Sequence, residues 1–307
     1  MDNSSLQQQA DAFEREHTAF EQARAKYLEA CQKYQAFKAQ DRIPSPPLTR
    51  SAYSDRMAWI LATMAKLAYV PFEKHQEEYA RLELNLNSGN FKLARTFNIA
   101  DTQAFLAKEA SFAVLSFRST QTDSRGDIMT DIDVSLNSTR YGKVHDGFKK
   151  AYDEVARDIV RSISDLDNLP LYITGHSLGG ALATLATQRL EHRIKDQIAA
   201  CYTYGSPRVG NVDFDKSIKA PFYRIVHCTD GVPLLPLTIM GYTHIGDARY
   251  VTRSGLLRRG MPMVRAWDFI SAMFLSFPRI LKPFVAAHDI DEYIHKLERV
   301  ALSRNKT

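Results

Sequence analysis

Residues 171–190 read Leu171-Tyr172-Ile173-Thr174-Gly175-His176-Ser177-Leu178-Gly179-Gly180, then ALATLATQRL, and this stretch decides the fold. Leu171–Thr174 is short, apolar and rich in strand formers, which predicts a buried strand. Residues 178–190 are dense in Ala and Leu with no proline, which predicts a helix. Between them Gly175, Ser177 and Gly179 give the spacing G-x-S-x-G. A serine on a sharp strand-to-helix turn needs small neighbours, because the serine backbone is strained and the strand and helix crowd each other there. Gly175, His176 and Gly179 are therefore the candidate elbow, and Ser177 the candidate nucleophile it would lift clear of a sheet.

A serine hydroxyl is a weak nucleophile near neutral pH and needs a base, with an acid to orient that base. In chains of the α/β-hydrolase type the order is Ser, then Asp or Glu, then His. Asp230 follows the run Phe222-Tyr223-Arg224-Ile225-Val226-His227 and precedes the turn residues Gly231 and Pro233. It is the acid best placed at the end of a buried strand. Three histidines follow it. His295 sits in a helical pattern with charged neighbours and reads as a solvated face. His244 lies in Gly241-Tyr242-Thr243-His244-Ile245-Gly246, where packing serves as well as catalysis. His288, after Phe284-Val285-Ala286-Ala287 and just before a helix, ranks ahead of His244.

Outward from this centre, a helix is expected near Asp55–Tyr69, a polar, strand-prone stretch after it, and a buried strand at Ser111–Phe117. A helix at 146–165 follows, then strands at Ala199–Tyr204 and Phe222–His227. Strands alternating with helices predict an α/β protein, a mainly parallel sheet covered on both faces. Residues 5–40 hold no proline or glycine, and Leu6, Phe13, Phe20, Tyr27 and Tyr34 recur every seven residues. Residues 1–43 thus read as an amphipathic helical extension that docks on its own domain or on a protein partner. Pro44, Pro46 and Pro47 mark a linker at 44–50, leaving 51–307 as the main domain.

Charge is local. The formal net charge is +5, residues 1–50 sum to zero, and 251–287 carry six cations against Asp268 alone. In that basic, apolar insertion Trp267, Phe274, Arg258 and Arg259 are candidate contacts to an anionic membrane surface; a cap over the acyl pocket is the other reading. No nucleic-acid motif accompanies the charge. The polar, acidic start shows no Sec-type signal peptide, which leaves cytoplasm, membrane periphery or leaderless export. No apolar run reaches the roughly 18 residues of a bilayer span. Cys31, Cys201 and Cys228 form neither a disulfide framework nor a metal pattern and read as free buried thiols.

Taken in order, the blocks resemble the class 3 (fungal-type) triacylglycerol lipases and their bacterial relatives over roughly Tyr53 to Leu297. They are Ala52-Tyr53-Ser54-Asp55-Arg56, Phe117-Arg118-Ser119-Thr120, Val144-His145-Asp146-Gly147-Phe148, Gly175 to Gly180, Tyr204-Gly205-Ser206-Pro207-Arg208-Val209-Gly210-Asn211 and Asp230 to Pro236. The His244 segment and His288 with Tyr293 complete them. The resemblance implies an α/β-hydrolase fold with a mainly parallel sheet, and a lipase or carboxylesterase acting on acyl-glycerol or phospholipid esters. It implies Ser177, Asp230 and His288 as the triad, the N–H groups of Thr120 and Leu178 as the oxyanion hole, and no metal or cofactor. The alternatives are a phospholipase A1-type membrane-acting enzyme, a leaderless toxin, or a non-catalytic binding scaffold. One departure stands out: Ser119 replaces the glycine usual at that point and is expected to shift the oxyanion donors. The segment after Thr120 is only weakly apolar for a lid.

Overall fold

The computed structural model describes residues 52–119, 134–166, 168–194, 197–252, 254–259 and 287–303, with Thr18 and Gln22 as two separate helical positions. The N-terminal extension, the linker, Thr120 with most of the expected lid, and Trp267 and Phe274 lie outside the described residues.

The strand-helix unit at the centre folds as its residues require. Leu171–His176 is strand β6, completely buried, and Leu178–Glu191 is helix α4, with Ser177 between them. Before it in the chain come α1 (Asp55–Leu67), α2 (Gln76–Ser88), β1 (Lys92–Ile99), β2 (Thr102–Lys108), β3 (Ala113–Phe117), the small hairpin β4 (Leu136–Thr139) and β5 (Gly142–His145), and α3 (Asp146–Ile163). After it come β7 (Ile198–Tyr204), α5 (Val212–Ser217), β8 (Phe222–His227), β9 (Asp247–Val251), β10 (Leu257–Arg259) and α6 (Ile290–Ser303).

Eight strands form one sheet in the order β1-β2-β3-β6-β7-β8-β9-β10. The five inner ones, β3 to β9, pair in parallel. The outer pairs β1–β2, β2–β3 and β9–β10 are antiparallel. Parallel strands joined by helices must be covered on both faces, and this sheet is. Side chains alternate across it: Val114 and Tyr172 join α1 and α6 in one core, while Leu115 and Ile173 join α3 and α4 in the other. α1 begins on a capped end, the Met57 N–H donating to Ser54 Oγ at 3.3 Å. It is then held onto the sheet by side-chain donors: Ser116 Oγ donates to Met64 O at 3.0 Å and Thr174 Oγ1 to Leu61 O at 3.2 Å.

Two expectations are corrected. The stretch read as strand-prone holds α2 as well as the β1–β2 hairpin, because α2 buries only Leu82 and Leu86 and so carries little apolar periodicity. Cys201 is a buried free thiol, and burial pushes it up to about 12, but Cys228 is exposed in the turn after β8. The basic insertion begins inside the sheet: Val251 ends β9 and Leu257–Arg259 pairs with it. Arg258 and Arg259 are exposed there, Arg259 lying 3.3 Å from Asp247. Among the described residues no helix is long and apolar enough to cross a membrane.

Candidate active site

Ser177 sits at φ 56 and ψ −130, a left-handed conformation that a side chain adopts only where the surroundings enforce it. Three contacts enforce it. The Ser177 N–H donates to Tyr204 O at 2.9 Å, tying the turn to β7. A Cβ on Gly175 would stand 2.2 Å from Gly179 O, and one on Gly179 would stand 2.4 Å from Phe117 O. Strand, helix start and the end of β3 therefore approach closer than any side chain permits. This is the physical content of the G-x-S-x-G spacing.

The ends of β6 and β8 and the start of α6 bring Ser177, Asp230 and His288 together. All three are buried, at 1%, 5% and 3% exposure. His288 Nδ1 lies 2.9 Å from Asp230 Oδ2. The same oxygen accepts from the Tyr293 hydroxyl at 2.5 Å, and Asp230 Oδ1 accepts from the Val232 N–H at 2.9 Å. Burial, then the Asp230 charge and this hydrogen bond, hold Tyr293 far above the ordinary phenol range, so it stays a neutral donor. Within this trio two buried side-chain atoms, Ser177 Oγ and His288 Nε2, have no hydrogen-bond partner. The bond between them is not made here; such bonds often close only around substrate.

The other candidates fall into distinct places. Leu178 is the first residue of α4, so its N–H has no acceptor inside the helix and points from a positive dipole end. Ser119 is buried at 2% and is absent from the residues with positive φ, so its backbone does not call for glycine. His244 does not join the Asp230 pair; burial, then Arg224 and Arg208, hold its imidazole well below the usual histidine range. His295 is exposed on α6, as its neighbours suggested. Among the described residues no group of three or more His, Cys, Asp or Glu gathers to hold a metal ion. Three contributors escaped the sequence: Tyr69, Glu73 and Gly205. Each acts through a contact with a residue far away in the chain, for which no local pattern exists.

A mainly parallel sheet with a serine elbow at the end of an inner strand defines the α/β-hydrolase fold. Within it, residues 114–240 match the family model described as Lipase (class 3). A secreted mono- and diacylglycerol lipase of Fusarium solani is 42% identical over 109 residues, 33% of this chain and 32% of that one. A lipase of Caenorhabditis elegans is 31% identical over 198 residues, covering 53% and 56%. Among solved structures, one described as a triacylglycerol lipase whose catalytic centre is formed by a serine protease triad superposes with a TM-score of 0.57. It is 26% identical, with 68% of this chain and 85% of that chain covered. A lipase from Rhizopus microsporus var. chinensis gives 0.54 and 29%, covering 68% and 79%. The match to the Fusarium lipase thus spans about a third of that relative's length, and the match to the nematode lipase just over half.

Proposed function

We propose that this chain is a serine ester hydrolase, a lipase or carboxylesterase acting on acyl-glycerol or phospholipid esters. The observation that carries it is the buried Asp230–His288 pair set beside a strained Ser177, with Ser177 Oγ and His288 Nε2 both unengaged. His288 takes the Ser177 proton as Oγ attacks the ester carbonyl carbon, and Asp230 stabilises the imidazolium. The Leu178 N–H, with that of Thr120, receives the oxyanion. Collapse expels the alcohol, which takes the proton back from His288. Water, activated by the same base, then releases the fatty acid from the acyl-enzyme.

Bacterial-type kinship rests on the sequence blocks alone, since the relatives described above are fungal and nematode proteins. An anionic membrane surface, met by the cations of 251–287 at the membrane periphery, and a protein partner for residues 5–40 complete the reading. The test is fatty-acid release from triglyceride emulsions, short p-nitrophenyl esters and anionic phospholipid vesicles, alongside labelling by a fluorophosphonate. Ser177→Ala is expected to abolish labelling and lower release by at least about 10⁴-fold. Wild-type protein that neither labels nor releases fatty acid would instead be a binding scaffold.

A further inference from the structure

We infer, resting on the hydrolase reading above, that His176 is a positioning residue: its imidazole ties the strand carrying Ser177 to the backbone of His288 and so sets where the base stands. His176 is the last residue of β6, immediately before the candidate nucleophile, and is 5% exposed. Its Nε2 lies 2.7 Å from His288 O, and its Nδ1 lies 2.8 Å from the Tyr69 hydroxyl. A carbonyl only accepts, so Nε2 carries a proton. In the neutral ring Nδ1 is then the acceptor and the Tyr69 hydroxyl donates to it. The two contacts together select one tautomer.

The ring does more than fill space. Its centroid stands 4.5 Å from the His288 ring at 33° and 6.1 Å from that of Tyr293. His288 is thereby gripped at two points, its carbonyl by His176 and its Nδ1 by Asp230. The first grip fixes its distance from the Ser177 strand, and the second fixes the rotation of its ring. Proton transfer requires both, because Nε2 must meet Oγ at hydrogen-bond distance in the transition state. Replacing the imidazole by an aliphatic side chain would strip the buried His288 carbonyl of this donor and leave only the second grip.

Three full-length proteins decide this: wild type, His176→Leu and His176→Gln, whose amide NH₂ can still reach a carbonyl. The readouts are kcat and KM on a short p-nitrophenyl ester, the rate of fluorophosphonate labelling, and the NMR signal of the His288 Nδ1 proton. For His176→Leu we expect kcat and labelling to fall roughly 10- to 100-fold, the scale of a small misplacement, with KM little changed. Its His288 Nδ1 proton signal should be lost or displaced. His176→Gln should recover most of the rate and keep the signal. Labelling of His176→Leu within about twofold of wild type, or a glutamine protein as slow as the leucine one, would overturn the inference. If the leucine protein does not fold, the glutamine protein decides alone, supporting the tie by keeping rate and signal and refuting it by losing both. Wild type that fails to label refutes the hydrolase reading; the tie then stands or falls on whether the His288 signal changes in His176→Leu.

Discussion

Gly205 shows how much one missing side chain can decide. It follows the last residue of β7 at φ 56, and a Cβ there would fall 2.6 Å from Asp230 Oδ2 and 2.9 Å from His288 Nδ1. The Asp230–His288 pair is thus packed directly on bare backbone. Alanine at this position would impose a left-handed strain of about 1–3 kcal/mol and would also wedge Asp230 from His288. Gly255 separates the two effects, since it sits at φ 80 with nothing within 4 Å of its would-be Cβ. We expect Gly205→Ala to lose ester hydrolysis and fluorophosphonate labelling by roughly two orders of magnitude, as misplacement in a triad does. Gly255→Ala should show a comparable fall in melting temperature with its activity kept. Activity kept in both variants would show that Asp230 and His288 absorb the added methyl, and would overturn this expectation.

At the scale of elements, the end of β3 is clamped just before Ser119. Arg118 is buried, and its guanidinium donates to Glu73 Oε1 at 2.6 Å, to Glu73 Oε2 at 3.0 Å and to Val70 O at 3.3 Å. It also lies 5.5 Å above the Phe72 ring. The turn after α1 therefore holds the strand end that leads to Ser119 and Thr120. Burial raises the Glu73 carboxyl, but the Arg118 hydrogen bond and charge outweigh it and leave it below the usual 4.5. A carboxyl depressed on folding stabilises the protein above its unfolded pKa, and that contribution is lost as pH falls through the lower folded value. Wild type should hence lose melting temperature on acidification below about pH 5 more steeply than Glu73→Gln, which starts lower by roughly 3–5 kcal/mol because Arg118 keeps no anionic partner. Parallel pH profiles would refute the clamp. The sequence makes β3, β6, β7, β8, α4 and the Ser177 elbow legible because each is a local pattern: an apolar run, a helix former series, a glycine spacing. Asp230 stands out by its place after a strand; chain order leaves three histidines, of which His288 is preferred for its place before a helix, and the structure sets these two 2.9 Å apart. The Arg118–Glu73 clamp, Tyr69 and Gly205 were not legible, since their roles exist only once distant segments meet. Strand β1 and helix α2 were blurred by weak burial: β1 is an edge strand and α2 buries only Leu82 and Leu86.

Across the whole molecule, two cores share one sheet. Leu61 of α1 lies in the core that also holds α6, and Leu185 of α4 lies in the opposite one; their exposures are 0% and 1%. The faces communicate through β3, β6 and β7, whose alternate residues point into each. Hydroxyls of β3 and β6 also reach carbonyls within α1. Such a sheet cannot lose one cover and keep its register, because the uncovered strands would expose continuous apolar surface on that side. Leu61→Ala and Leu185→Ala should each cost about 2–5 kcal/mol, the loss of buried methyls plus the cavity left behind. Both should also shift a shared transition. Trp59, 3% exposed on α1, reports one face by fluorescence once Trp267 is replaced by phenylalanine, and far-UV circular dichroism reports the whole. Coincident midpoints by both probes in each variant are expected for one cooperative unit. If Leu61→Ala moved only the Trp59 transition and left the dichroism in place, α1 would be a detachable cover, and the clamp it supports at Arg118 would open before the sheet unfolds.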